Sequence, residues 1–212
     1  MKNLKIKMIT GLPTELDYFS LAATMVDLDW NHLQESSWRE QYPYTPLVQF
    51  QIGYTTTHII LHFHVQEEFI KAQYIRPNEN VWEDSCVEFF ISFDDRNTYY
   101  NLEFNSLGTG LIGYGPSIKK DRNRLSADEI QQVETFTSIQ STQEGKKWQE
   151  ILLIPISIFK LANDSLKNRV AHANFYKCGD ALPNPHFISW NKIKHTTPNF
   201  HLPEFFGEIE FV

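Results

Sequence analysis

The sequence predicts an all-β protein, an antiparallel β-sandwich of the jelly-roll or immunoglobulin-like kind with one or two short helices. Three observations carry that expectation. Apolar residues recur with a period of two along most of the chain, turn-forming residues interrupt them at short intervals, and no long stretch has helical periodicity. At 212 residues the chain is long enough for one full core. No repeat, low-complexity segment or linker divides it, so a single domain over residues 1–212 is expected.

Leu4, Ile6 and Met8 alternate with polar residues, mostly lysine, and open the first strand. Tyr18–Met25 reads as a second, and the polar stretch Asn31–Pro46, with Trp38, Tyr42 and Tyr44, as a loop. Val48, Phe50 and Ile52 run up to Gly53, and Ile59, Leu61, Phe63 and Val65 run away from it. That is a hairpin pattern, with His58, His62 and His64 on the opposite face. Ile70–Ile75 is extended. Cys86–Phe93 is apolar on nearly both faces, which places it centrally in a sheet, and Asp94–Asn97 has turn composition. Thr98–Asn105 puts Tyr100, Leu102 and Phe104 on one face and Asn101 and Glu103 on the other. Gly108, Gly110, Gly113 and Gly115 follow, without the helix a phosphate loop requires. Ser126-Ala127-Asp128-Glu129 forms a capping box for one or two helical turns. Trp148–Ile154, Val170–Tyr176 and Glu208–Val212 read as strands, and Pro155–Leu161 as a short helix. From this periodicity Phe50, Ile59, Leu61, Phe63, Val87, Phe89, Ile91, Leu102, Phe104 and Leu152 are expected in the core.

Composition narrows the function. Nineteen Lys+Arg against 26 Asp+Glu leave a formal charge of −7, so no basic field exists to attract nucleic acid or an anionic membrane. No segment approaches the roughly 20 apolar residues of a membrane span, and no signal-peptide run follows the N-terminal lysines, so by sequence the expected location is cytoplasmic. The two cysteines, Cys86 and Cys178, are too few for a disulfide framework or a Cys-only zinc site; one long-range bridge is the alternative, and buried free thiols are expected. Aromatic residues are abundant, at 14% of the chain.

Several constellations could carry chemistry. Asp84 and Glu88 share strand parity, and glycoside hydrolysis needs a carboxyl pair about 5–9.5 Å apart. A polar lining that binds without reacting is the plainer reading. His62 and His64 share a strand face but lack a third ligand in sequence. Asp27/Asp29 and Asp94/Asp95 could hold a structural Ca²⁺, although turn chemistry accounts for both and no cofactor is otherwise expected. Trp82 and Phe200 are different: each lies outside a strand among polar neighbours, where it either packs in the loop's own small core or faces a ligand. A loop aromatic offers a flat apolar face to a sugar ring, while nearby amides and carboxylates meet its hydroxyls.

Trp82-Glu83-Asp84-Ser85-Cys86-Val87-Glu88-Phe89-Phe90-Ile91 resembles the W-x-x-D-S-V-E-x-F-I signature of family 9 carbohydrate-binding modules, with one residue inserted around Cys86. Ile188-Ser189-Trp190, followed by Phe200 through Gly207, is similar to the closing I-S-W … W-x-x-P-x-x-F-G segment of the same family. The resemblance implies a β-sandwich related to DOMON domains. It also implies non-catalytic binding of a mono- or oligosaccharide in polysaccharide utilisation, beside glycoside hydrolases and outside the cell or in the periplasm. In that family a sugar ring sits between two tryptophans. Those positions fall on Trp82 and Phe200, the binding glutamate on Glu88, a binding arginine near Asn101, and an asparagine on Thr197. Glu103, on the strand face of Asn101, completes the expected ligand-binding set. Because Asn101 replaces the arginine, the cationic contact is expected to be lost. The alternatives are a glycoside hydrolase using Asp84 or Glu88 and an interaction scaffold that has lost its sugar site.

Overall fold

The period-two segments of the sequence pair into a mainly β structure, described by a computed structural model for residues 1–143, 145–162 and 165–212. In chain order the strands are β1 (Asn3–Met8), β2 (Asn31–Leu33), β3 (Leu47–Tyr54), β4 (His58–Glu67), β5 (Cys86–Ser92), β6 (Tyr99–Asn105) and β7 (Gly110–Gly115). They continue with β8 (Asn123–Arg124), β9 (Glu134–Thr142), β10 (Gly145–Pro155), β11 (Val170–Cys178), β12 (Phe187–Ser189) and β13 (Gly207–Phe211). Two short α-helices, α1 (Tyr18–Thr24) and α2 (Ala127–Ile130), complete the set with four 3-10 turns.

Among the described residues the strands form one curled sheet in the order β8-β7-β6-β5-β11-β13-β1-β3-β4-β10-β9, with β12 beside β11 and β2 beside β3. Most neighbours are antiparallel, as expected, but β1 is parallel to both of its own. Asn3–Ile6 pair with β13, and Lys7 and Met8 pair with β3. This strand therefore joins two half-sheets and makes the whole mixed rather than purely antiparallel. The halves close over a common core, where Phe50 of β3 stacks on Phe175 of β11 at 4.0 Å and Phe175 stacks on Phe89 of β5 at 5.0 Å. All ten expected core positions are buried in that cluster.

Tyr18–Met25 is not a strand. Asp17 caps α1 by accepting from the Ser20 backbone N–H at 2.8 Å. Tyr18, Leu21, Ala22 and Met25 then recur at helical spacing and pack on Ile60, Ile151 and Leu153, on the outer face of β4 and β10. The capping box at Ser126 is present and starts α2. Pro155–Leu161 holds a 3-10 turn, Ile156–Phe159, and Ile70–Ile75 belongs to no strand. The edge strand β9 lacks an apolar face and is mostly exposed, so periodicity gives no sign of it.

Two charged features lie inside. Lys177 and Glu67 form a fully buried ion pair at 2.9 Å; Trp148 Nε1 donates to Glu67 at 2.6 Å, and His186 Nε2 lies 2.8 Å from the lysine. Glu150 shares the face of β10 with Trp148 and Leu152, is wholly buried, and among the described residues has no hydrogen-bond partner for either carboxyl oxygen. No described helix is long and apolar enough to cross a membrane.

Candidate functional site

Alternation along β5, β6 and β7 builds the site. Val87, Phe89, Leu102, Phe104 and Ile112 point into the common core, which turns Cys86, Glu88, Asn101, Glu103, Leu111 and Gly113 to the outer face. Strand pairing then aligns these side chains in rows. Leu111, Glu103, Glu88 and Tyr176 are successive cross-strand partners, as are Arg124, Gly113, Asn101 and Phe90. A third row runs Asn105, Cys86, Cys178, Phe187.

Over the rows lies a cavity of about 400 Å³. Trp82 reaches it from the 3-10 turn Val81–Glu83, where its carbonyl oxygen accepts from the Asp180 backbone N–H at 3.1 Å. Pro198–His201 form another wall, and Lys119 with Arg122–Arg124 a third. Of the six residues expected from sequence, Trp82, Phe200, Glu88, Asn101 and Glu103 therefore come together around one cavity. Thr197 does not line it; it is exposed, and its backbone oxygen lies 2.7 Å from Nδ1 of His195. Phe200 is 8% exposed, and its ring lies flat on Tyr176, 4.2 Å between centroids and 10° between planes. One ring face is thus backed by protein.

The carboxyls under the cavity are held out of water and directly opposite each other. Burial pushes Glu88 well above the usual carboxylate range and Glu103 up to about 7. Cys178 Sγ donates to Glu88 Oε1 at 3.1 Å, and Asn101 Nδ2 donates to Glu103 Oε1 at 2.9 Å. Burial thus favours the neutral form of both carboxyls, which can donate as well as accept hydrogen bonds. His201, hydrogen-bonded through Nδ1 to the Tyr99 hydroxyl at 2.8 Å, is pushed down to about 4 by burial, so its imidazole is neutral at ordinary pH.

Position 101 carries no cation of its own, but a guanidinium stands beside it. The β7–β8 pairing brings Arg122 beside that position, where its guanidinium donates to Asn101 Oδ1 and to the carbonyls of Gly115, Pro116 and Tyr99. It also lies 3.9 Å from the centroid of the Tyr99 ring. Arg124 stands 5.9 Å over Trp82. No arginine occurs on β6 itself. The only sequence signal was the Arg122-Asn123-Arg124 run after the glycine-rich stretch, which means nothing until the strands pair.

Several other sequence candidates have partners within the protein. Asp84 is fully buried, accepts from the backbone N–H groups of Gln73 and Tyr74 and from Asn105 Nδ2, and pairs with Lys71 at 3.8 Å. It staples the 70–75 segment and has no place across a cavity from Glu88. His62 engages Gln149, and His64 engages Gln49. Asp94 accepts from Ser92 and Thr98 within its own turn, and Asp29 pairs with Lys7.

The sequence profile of carbohydrate-binding family 9 matches residues 20–211. The chain belongs to this family. A presumed carbohydrate-binding protein from Bacteroides uniformis ATCC 8492 is 33% identical, with a TM-score of 0.90, over 100% of this family 9 chain and 99% of its own. Two structures of a family 9 module from Caldicellulosiruptor kristjanssonii share the fold at 12% identity. The glucose complex has a TM-score of 0.62 and covers 100% of this chain and 96% of its own. The cellotriose complex has a TM-score of 0.61 and covers 99% and 93%. No curated protein matches the chain.

Proposed function

We propose that the cavity binds a mono- or oligosaccharide without transforming it, one ring resting between Trp82 and Phe200. Supporting this is the combination at one place of loop aromatics with buried carboxyl, amide and guanidinium groups, around about 400 Å³ in a chain of a carbohydrate-binding family. That volume lies at the lower end of small-molecule sites, which suits one or two sugar units rather than a long chain lying flat. Glu88 and Glu103 would meet sugar hydroxyls as donor and acceptor, and Asn101, held by Arg122, would meet a third. Glucose and cello-oligosaccharides, bound by the Caldicellulosiruptor module, are the first ligands to try. Such a protein would act in polysaccharide utilisation by retaining or delivering sugar beside an enzyme.

Calorimetric titration of wild type and Trp82→Ala with glucose, cellobiose and cellotriose tests the reading. Loss of one stacking face should weaken binding by about 1–3 kcal/mol, roughly tenfold to a hundredfold. A sugar whose affinity is the same for both proteins would place the site elsewhere. Failure of every sugar to bind wild type at millimolar concentration would favour a scaffold that has lost the site.

A further inference from the structure

We propose that Cys86, Cys178 and Glu88 form a site for a soft or borderline divalent cation of the zinc class, with its fourth position facing the cavity. β5 and β11 pair Cys86 directly with Cys178, and Glu88 follows Cys86 on the same face of β5. All three are buried, and their ligand atoms lie within 4.8 Å of one another. Zinc binds thiolate sulfur at about 2.3 Å and carboxylate oxygen at about 2.0–2.2 Å, so tetrahedral sulfurs stand roughly 3.8 Å apart. Displacements below about 1 Å would therefore converge the three groups on one ion. Cys178 Sγ and Glu88 Oε1 are already 3.1 Å apart.

The donor set selects the metal. Two sulfurs and one carboxylate suit zinc and its soft neighbours, not calcium or magnesium, whose ligands are oxygens. Three protein ligands leave a fourth position, and since Cys178 and Glu88 line the cavity, water or a sugar hydroxyl can reach it. The hydrogen bond from Cys178 to Glu88 marks where a metal would replace a proton. The sequence offered no such site: Cys86 and Glu88 are two residues apart, but Cys178 lies 90 residues beyond Glu88 and meets it only through the β5–β11 pairing.

Burial pushes the Cys86 thiol up to about 12 and the Cys178 thiol well above its usual range. Glu88 and Glu103 bear on Cys86, Asp180 on Cys178, and Lys177 partly offsets them at both. Metal must therefore displace two thiol protons, and Glu88 contributes a third where it is protonated.

The test uses reduced, chelator-stripped protein without sugar, so its outcome is independent of the carbohydrate reading. Equilibrium dialysis against Zn²⁺ at pH 8 should give one bound equivalent. Co²⁺ in its place should produce thiolate-to-metal charge-transfer absorption. The double variant Cys86→Ser/Cys178→Ser, with its fold checked by circular dichroism, should lose both signals, and Glu88→Gln should weaken binding at least tenfold. The Co²⁺ band in wild type reports thiolate ligation even where the double variant misfolds. Absence of a bound equivalent, binding without that band, or binding retained by the folded double variant would overturn the site.

Discussion

Glu150→Leu isolates the energetic effect of a carboxyl in the apolar core. The side chain is wholly buried among core residues of β10, and burial alone holds its pKa well above 4.5. Below pH 4.5 the group is neutral in both folded and unfolded chains and adds no pH dependence. Above that, the unfolded chain releases its proton while the folded chain retains it. Stability therefore falls as pH rises towards the folded pKa, by about 1.4 kcal/mol per unit. The neutral carboxyl also lacks hydrogen-bond partners, which costs about 1–3 kcal/mol at any pH. Leucine, of similar size, removes both effects and adds apolar contact beside Trp148 and Leu152. The variant should be more stable by about 1–3 kcal/mol near pH 4.5, and by about 1.4 kcal/mol more per unit above pH 5. For a chain of this length each kcal/mol corresponds to roughly 2–4 °C in Tm.

Urea and thermal unfolding of wild type, Glu150→Leu and Glu150→Gln between pH 4.5 and 8 would measure this. Glutamine never ionises, so its pH slope should match that of leucine while its polar atoms remain unpartnered. His62, pushed down to about 4 by burial, acts in the opposite sense. Its contribution is present above the unfolded value near 6.5 and is lost as pH falls through 4. It is common to all three proteins and cancels in the differences. A leucine-minus-wild-type difference that does not change with pH, or a leucine variant less stable at pH 7, would refute the reasoning.

Two further perturbations test neighbouring parts of the structure. In Gly113→Ala the new Cβ would stand 2.5 Å from Asn101 Oδ1, displacing the amide from Arg122; titration should show sugar affinity falling tenfold or more while the fold persists by circular dichroism. Unchanged affinity would remove Asn101 from the ligand contacts. Lys177→Met leaves the buried Glu67 carboxyl without its cation and should cost about 3–5 kcal/mol in urea unfolding. Lys177→Met/Glu67→Gln should recover much of that loss, because Trp148 keeps its acceptor.

Alternation along β3 to β6 and β10 was enough to identify the all-β class and the ten core positions. On a strand, side-chain direction depends only on position parity, and the same rule put Asn101 and Glu103 together on the outer face of β6. Trp82 and Phe200 stood out in the sequence as candidate binding aromatics from their polar loop surroundings and the motifs around them, and the folded chain brings both to one cavity. Three things were decided only by the folded chain. The parallel pairing of β1 depends on backbone groups of β3 and β13, about 50 and 200 residues away, which leave no local pattern. Tyr18–Met25 fits either period over so few residues, and the apolar patch on β4 and β10 selects the helix. Arg122 beside Asn101, Glu88 opposite Glu103, and Cys86 opposite Cys178 are matters of strand register. Register is set by how whole strands bury their faces, so side chains distant in sequence become neighbours only once the sheet has closed.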